Sequence, residues 1–202
     1  MNYLSRDERR EGILQAAMTV ALQEGYAAMT VRRIAAEAQV AVGQVHHHFS
    51  GIGELKSQAF IRLSRRILDT ETVTENASWR ERLFSMLGSD DGRFEPYIRL
   101  WREAQILAGR DAEMRGAYIV AMEMWQQETV AVIKAGEEAG EFRLLDKADN
   151  IAWRLISLVC GLDGLCILNM PGLDIAASDN HIHRLITLEL FSPLSPGSRC
   201  SQ

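Results

Sequence analysis

The sequence predicts an all-α fold, a small three-helix head followed by a larger helical body, and three observations carry that prediction. Apolar residues recur at three- and four-residue spacing in every long segment, the pattern of helices with one buried face. No stretch alternates apolar and polar residues for long enough to make a useful strand. The breaks GSDDG, GR, GEFR and PGLD carry the Gly, Asp and Pro chemistry that stops helices. A chain of 202 residues has room for one or two domains, and it contains no internal repeat.

In chain order, Ile13, Leu14, Ala17, Met18, Ala21 and Leu22 form the buried face of a first helix over Asp7–Glu24, stopped at Gly25. Tyr26 and Met29 anchor the connection. Thr30 is suited to N-cap a second helix, Val31–Ala38, with Ile34 and Ala35 inward. A turn leads to a third helix, Val42–Phe49, too short to hold itself together in water. It therefore needs Val45 and Phe49, four residues apart, buried against the first two. That leaves Gln44, His46, His47 and His48 on or beside the outer face, with Gly43 there to admit close approach of a backbone.

A long helix from Gly53 towards Thr70 follows, with Leu55, Ala59, Phe60, Leu63 and Ile67 at helical spacing. Further helices are expected over Trp79–Leu87, Phe94–Ala108, Asp111–Ala139, Ala148–Asn169 and Asp179–Phe191. Asp146 and Asp149 have the spacing of a capping box for the fourth of these. The tail SPLSPGSRCSQ should fray. The expected division is a head at 1–52, a body at 53–191 and a tail at 192–202.

The net charge of −5 hides an asymmetry. Residues 1–66 hold nine basic against six acidic side chains, and the remainder 13 against 21. A basic head on an acidic body is compatible with nucleic-acid binding, because the contact surface matters and not the average. The charged N-terminus and the lack of an apolar run of about 18–20 residues point to a cytoplasmic chain without a membrane partner. Cys160, Cys166 and Cys200 form no CxxC pair, which argues against a disulfide framework or a zinc knuckle.

With the core TVRRIAAEAQVAVGQVHHHFSGIGELKSQAF in place, the head resembles the TetR family of bacterial transcriptional regulators. That family's turn and recognition helix usually read Gly-Val-Ser-x-Gly-x-Leu-Tyr-x-His-Phe, followed by Lys-x-x-Leu. The matching residues are Val40, Gly43, Val45, His48, Phe49 and Leu55, with Ile34 and Ala35 before them. Three positions depart from it: the turn glycine is Gln39, the usual serine cap is Ala41, and the phosphate-gripping lysine is Ile52. The resemblance covers about the first quarter of the chain.

The resemblance implies a helix-turn-helix DNA-binding head whose third helix enters the major groove. It places Gln44 and Arg32 at base-contacting positions, where Gln pairs with adenine and Arg with guanine. Thr30, Arg33, His46, His47 and His48 suit phosphates, which set register. Val42 and Gly43 complete the candidate set. If the histidines contact phosphate in charged form, operator affinity should fall from about pH 6 to pH 8. Three consecutive histidines on a helix point about 100° apart and cannot converge on one metal ion.

Members of the resembled family bind a small effector in the helical body and dimerise through the last two long helices. In Ala148–Asn169, Ile151, Trp153, Leu155, Ile156, Leu158, Val159, Leu162, Leu165 and Ile167 leave no open solvent face. Gly161 and Gly164 invite close helix approach, and Ile182, Leu185, Ile186, Leu188 and Leu190 would complete a homodimer seam. For the effector, Met114, Tyr118, Met122 and Trp125 follow one stripe and Tyr97, Trp101 and Gln105 another, walls suited to an apolar or aromatic molecule. Plain core is the competing reading of such stripes. Effector binding is expected to tilt the helix from Gly53 and move the heads of a dimer off their operator spacing.

An enzyme is not expected, since GxGxxG after a strand, GxSxG, HExxH and the P-loop are all missing. No cofactor is implied, and His181-x-His183 is one residue short of a shared helical face. The reading is a dimeric repressor on a pseudo-palindromic double-stranded operator, released by a small molecule. The alternative is a helical protein-interaction adaptor without sequence-specific DNA binding.

Overall fold

The structure is a computed structural model, and it describes residues 5–70, 73–88 and 93–191. Among these the order is α1 (Arg6–Glu24), α2 (Val31–Glu37), α3 (Val42–His48), α4 (Ile52–Leu68), α5 (Trp79–Leu87), α6 (Glu95–Ala108), α7 (Ala112–Glu138), α8 (Ala148–Ile167) and α9 (Ile175–Leu190). The fold is all-α, as the periodicity requires. The tail 192–202 with Cys200, and residues 89–92 of the GSDDG break, lie outside the described residues.

The chain gathers into two compact units, 1–70 with 91–125, and 71–90 with 126–202. Residue 52 therefore marks no break in packing. α1 packs on α2, α4 and α6, and α4 also packs on α6. Leu100 and Ala104 of α6 are buried in one core with Ile13, Leu14, Met18, Ile34, Val45, Phe49, Leu55 and Phe60. An isolated three-helix head could bury little of its apolar surface, and α4 and α6 supply the missing cover.

The start of α1 is fixed by a capping box that the periodicity did not reveal. Ser5 Oγ accepts the Glu8 N–H at 3.1 Å, and the Ser5 N–H donates to the Glu8 carboxylate at 2.7 Å. Thr30 caps α2 as expected, accepting the Arg33 N–H at 3.1 Å. The departures from the family pattern leave physical traces in the turn. Gln39 sits at φ 54°, a left-handed conformation that costs a non-glycine residue about 1–2 kcal/mol. Ala41 N-caps α3 without any side-chain hydrogen bond. Ile52 is half-buried and packs on the core instead of reaching outward.

In the second unit α5, α8 and α9 pack on one another. Ser78 and Glu81 form a second capping box at the start of α5. Two expectations need correction here. Asp146 and Asp149 make no capping box, because Lys147 is the N-cap of α8 and gives no side-chain bond. Asp146 instead accepts from Arg154 (2.9 Å), Asn150 (3.0 Å) and the Lys147 N–H (2.7 Å), and these bonds, the Arg154 one foremost, hold its carboxyl down to about 2. The last helix starts at Ile175 and not near Asp179, because the Asp174 side chain accepts the Ala177 N–H at 2.8 Å. A third correction concerns hydropathy: α8 is by length and composition apolar enough to cross a membrane, though its most apolar window is 28% buried.

Candidate functional site

The head presents α2 and α3 much as their pattern requires. Val45 and Phe49 are buried at 1% and 3% exposure. Thr30, Arg32, Val42, Gly43, His46 and His47 are exposed, while Arg33, Gln44 and His48 are half-buried. A Cβ on Gly43 would meet nothing within 4 Å, so the space beside it is open for an approaching backbone. Thr30 spends its hydroxyl on the cap. Arg33 is engaged by two carboxylates, Glu24 (2.7 Å) and Glu37 (2.9 Å), which raise its pKa; a phosphate would have to displace them. Among the candidates Arg32 and Gln44 thus keep side chains suited to bases, and Gln44 accepts from Arg9 at 3.4 Å.

That contact exposes residues the sequence reading missed. Arg6, Arg9 and Arg10 lie at i, i+3 and i+4 in the first turns of α1, and the fold brings this basic edge to α3. Arg10 lies over the Phe49 ring at 4.5 Å from its centroid and donates to Gln58 (2.8 Å) and Glu54 (3.3 Å). All three arginines bear on His48. Burial, then the charges of His47, Arg6, Arg9 and Arg10, hold its pKa below the ordinary histidine value. Its Nδ1 is buried without a hydrogen-bond partner, and its ring meets His47 edge-on at 5.1 Å. The spacing of the arginines was visible; their nearness to a helix about 35 residues away was not.

Four of the candidate effector residues converge. Trp101 lies 5.2 Å from Tyr118 and 5.9 Å from Trp125 by ring centroids, and 5.4 Å from Phe60 of α4. Phe60 stacks on Tyr118 at 5.9 Å, and Tyr97 packs on the same core. Phe60, Leu63, Ser64, Ile67, Tyr97, Leu100 and Trp101 line a void of about 10 Å³, room for roughly one water. Met114 is 1% exposed and belongs to the core, Met122 is half-buried, and Gln105 is exposed. The walls are present, but they are closed on one another.

α8 and α9 carry the third feature. Ile151, Leu155, Ile156 and Leu162, with Ile182, Ile186 and Leu190, are buried within their own unit, so these seven are core and not seam. What remains outside is apolar too: Trp153 (42% exposed), Leu165 (38%), Ile167 (51%), Leu168 (68%), Ile175 (63%) and Leu188 (44%). Gly161 and Gly164 are exposed, with nothing within 4 Å of a Cβ placed on either. Arg154 binds Glu189 with two bonds of 2.6 and 2.7 Å and Asp146 with a third. Burial, with Asp163 beside it, pushes the Cys160 thiol up, away from a reactive thiolate.

A buried apolar pair holding a polar helix at the surface of a small helical head is the plan of a helix-turn-helix, a unit suited to a DNA groove. Residues 13–57 match the family described as bacterial regulatory proteins, tetR family. Among solved structures, a TetR-family regulator from Cytophaga hutchinsonii superposes with a TM-score of 0.72 at 21% identity, covering 95% of this chain and 100% of that one. A regulator from Saccharomonospora viridis in complex with choline gives 0.68 at 23%, covering 93% and 100%. The multidrug binding protein EbrR complexed with proflavin gives 0.62 at 23%, covering 89% and 100%. At these identities the structural likeness is one of fold. No curated protein matches the chain significantly. The likeness to that family's sequence pattern is thus carried by residues 13–57, which span α2, α3 and the flanking parts of α1 and α4.

Proposed function

We propose that the chain is a homodimeric repressor that reads a pseudo-palindromic operator and leaves it when a small apolar or aromatic molecule binds. The observation that carries the reading is α3, where Val45 and Phe49 are buried while Gln44, His46 and His47 remain accessible. On this reading Gln44 and Arg32 contact bases, while His46, His47, His48 and the backbone at Val42, Gly43 and Thr30 face the sugar–phosphate chain. Arg6 and Arg9 join them. Arg33 sets the shape of the α1–α2 corner through Glu24 and Glu37. Residues 1–52 act as the reader and 53–191 as the responder, and the chain works in the cytoplasm.

The exposed apolar face of α8 and α9 supports a homodimer seam. Two glycines, Gly161 and Gly164, with nothing among the described residues within 4 Å of a Cβ placed on them, leave room for a partner helix. A membrane fits less well, since α8 carries Arg154 in a bidentate ion pair with α9. For the effector, Tyr97, Trp101, Tyr118 and Trp125, with Met114, Met122 and Gln105 nearby in sequence, supply the wall. Two fold neighbours hold choline and proflavin, which supports a small organic ligand. The closed void requires a ligand to part the rings, and parting them would tilt α4 through Phe60.

Selection of bound DNA from a random duplex library tests the reading. The expected product has two half-sites one or more helical turns apart, with about 34 Å per turn. Its affinity should fall steeply with salt. No enrichment, with a salt slope near zero, would favour the adaptor.

A further inference from the structure

We infer that Arg99 and Glu103 of α6 are positioning residues that clamp the end of α1 and tie the reading head to the aromatic cluster. The inference rests on reading the chain as a ligand-responsive DNA-binding regulator, and it identifies a route other than the tilt of α4. Had α1 continued past Glu24, the Tyr26 N–H would have bonded to the Leu22 carbonyl, four residues back. The structure splits that pair and gives each half to α6. The Glu103 carboxylate accepts the Tyr26 N–H at 2.8 Å, and the Arg99 guanidinium donates to the Leu22 carbonyl at 2.6 Å. Arg99 and Glu103 themselves approach to 4.0 Å.

Two further features tighten the clamp. Gly25 sits at φ +82°, and a Cβ there would lie 2.9 Å from a Glu103 carboxylate oxygen, so the turn and the carboxylate are fitted to each other. Tyr26 is 1% exposed and its ring meets Phe60 edge-on at 6.5 Å, so the same residue touches the cluster from the other side.

Trp101 stands midway between Arg99 and Glu103 on α6, with its ring against Phe60, Tyr118 and Trp125. Leu100 and Ala104 bury the same helix in the head's core. A helix does not stretch, so a ligand that parts the rings around Trp101 moves the two prongs with it. The α1–α2 turn then loses its acceptor and donor together, and Thr30, α2 and α3 lose the geometry that places Gln44 and Arg32.

Amide hydrogen exchange in the full-length protein reads the clamp directly. In Glu103→Ala the Tyr26 amide should exchange about tenfold faster, with partial rescue in Glu103→Gln, which keeps an acceptor. In Trp101→Leu, which removes neither bond, the Tyr26 amide should also quicken while the Ala17 amide in the middle of α1 does not. Trp125→Leu repeats the test at another ring should Trp101→Leu fail to fold. On the selected operator, Glu103→Ala and Trp101→Leu should each weaken binding about tenfold, and the double variant should be no weaker than Glu103→Ala alone. An unchanged Tyr26 amide in both ring variants, or fully multiplicative losses, would overturn the inference. If no operator is selected, the regulatory reading fails, and the exchange data still decide whether the clamp exists.

Discussion

The reading head and the outer face of α8 and α9 announce themselves by opposite anomalies. In the head, apolar residues are where a soluble helix should keep them, and the unusual feature is a crowded polar surface: three histidines in a row, Gln44, and arginines from α1. On α8 and α9 polar residues share the outer surface with large apolar side chains left in the open, and those apolar side chains, with two bare glycines, are the unusual feature. Charged and hydrogen-bonding groups at the first surface fit an anionic, grooved partner. Bare apolar surface at the second fits a partner of its own composition, such as the same helices from a second copy. One molecule thus carries two kinds of incompleteness, each matched to the chemistry of what would complete it.

The sharpest way to break the comparison is to attack the anchors beneath the polar surface. Phe49→Ala should cost about 3–5 kcal/mol in urea unfolding, because a 3% exposed ring that fastens a seven-residue helix is removed. A loss under about 1 kcal/mol would mean that α3 does not depend on its anchor. On the other face Leu165→Asp should leave the monomer folded, halve the mass seen in sedimentation, and weaken operator binding about 10²–10³-fold by uncoupling two half-sites. A wild-type chain that sediments as a monomer at micromolar concentration would remove the seam from the account.

Smaller effects sharpen the picture. Gln44→Ala should cost about 1–3 kcal/mol at a single base position and relax specificity there; an equal loss on every sequence would make Gln44 a backbone contact. Ala41→Ser should restore the missing cap of α3 and raise stability by about 1 kcal/mol, visible as a higher urea midpoint. The smallest effect concerns pH. The folded state holds His48 below the ordinary histidine pKa, so on acidification the unfolded chain takes up the proton first. Stability is therefore full above the unfolded pKa and declines as pH falls below it. His48→Gln should flatten the dependence of Tm between about pH 7.5 and pH 5.5. A charged histidine on phosphate would act oppositely, strengthening operator binding over the same range, so the two measurements separate the roles.

Much of the head was legible because it is built from local rules. The spacing of Val45 and Phe49, the Thr30 cap, the strained Gln39 and the uncapped Ala41 are properties of a few consecutive residues, and the structure repeats them. The caps at Ser5, Ser78 and Asp174 are equally local, but an apolar stripe marks the face of a helix and not its ends. The body was harder. Its stripes marked helices correctly but could not tell core from surface, so Ile182 and Ile186 were expected in the seam and lie inside, while Trp153 and Leu165 lie outside.

The sequence by itself determined the helices, their order, the turn, and the set of polar side chains that α3 must leave outside, since these follow from periodicity and from which residues can cap or break a helix. Only the tertiary structure decided which distant groups meet. Arg9 beside Gln44, Glu24 and Glu37 around Arg33, Phe60 among the rings of α6 and α7, and Glu103 on the Tyr26 amide are pairings made across the fold. Their physical reason is packing. A side chain's partner is set by which helix faces cover each other, and helical spacing specifies a face without naming what will cover it.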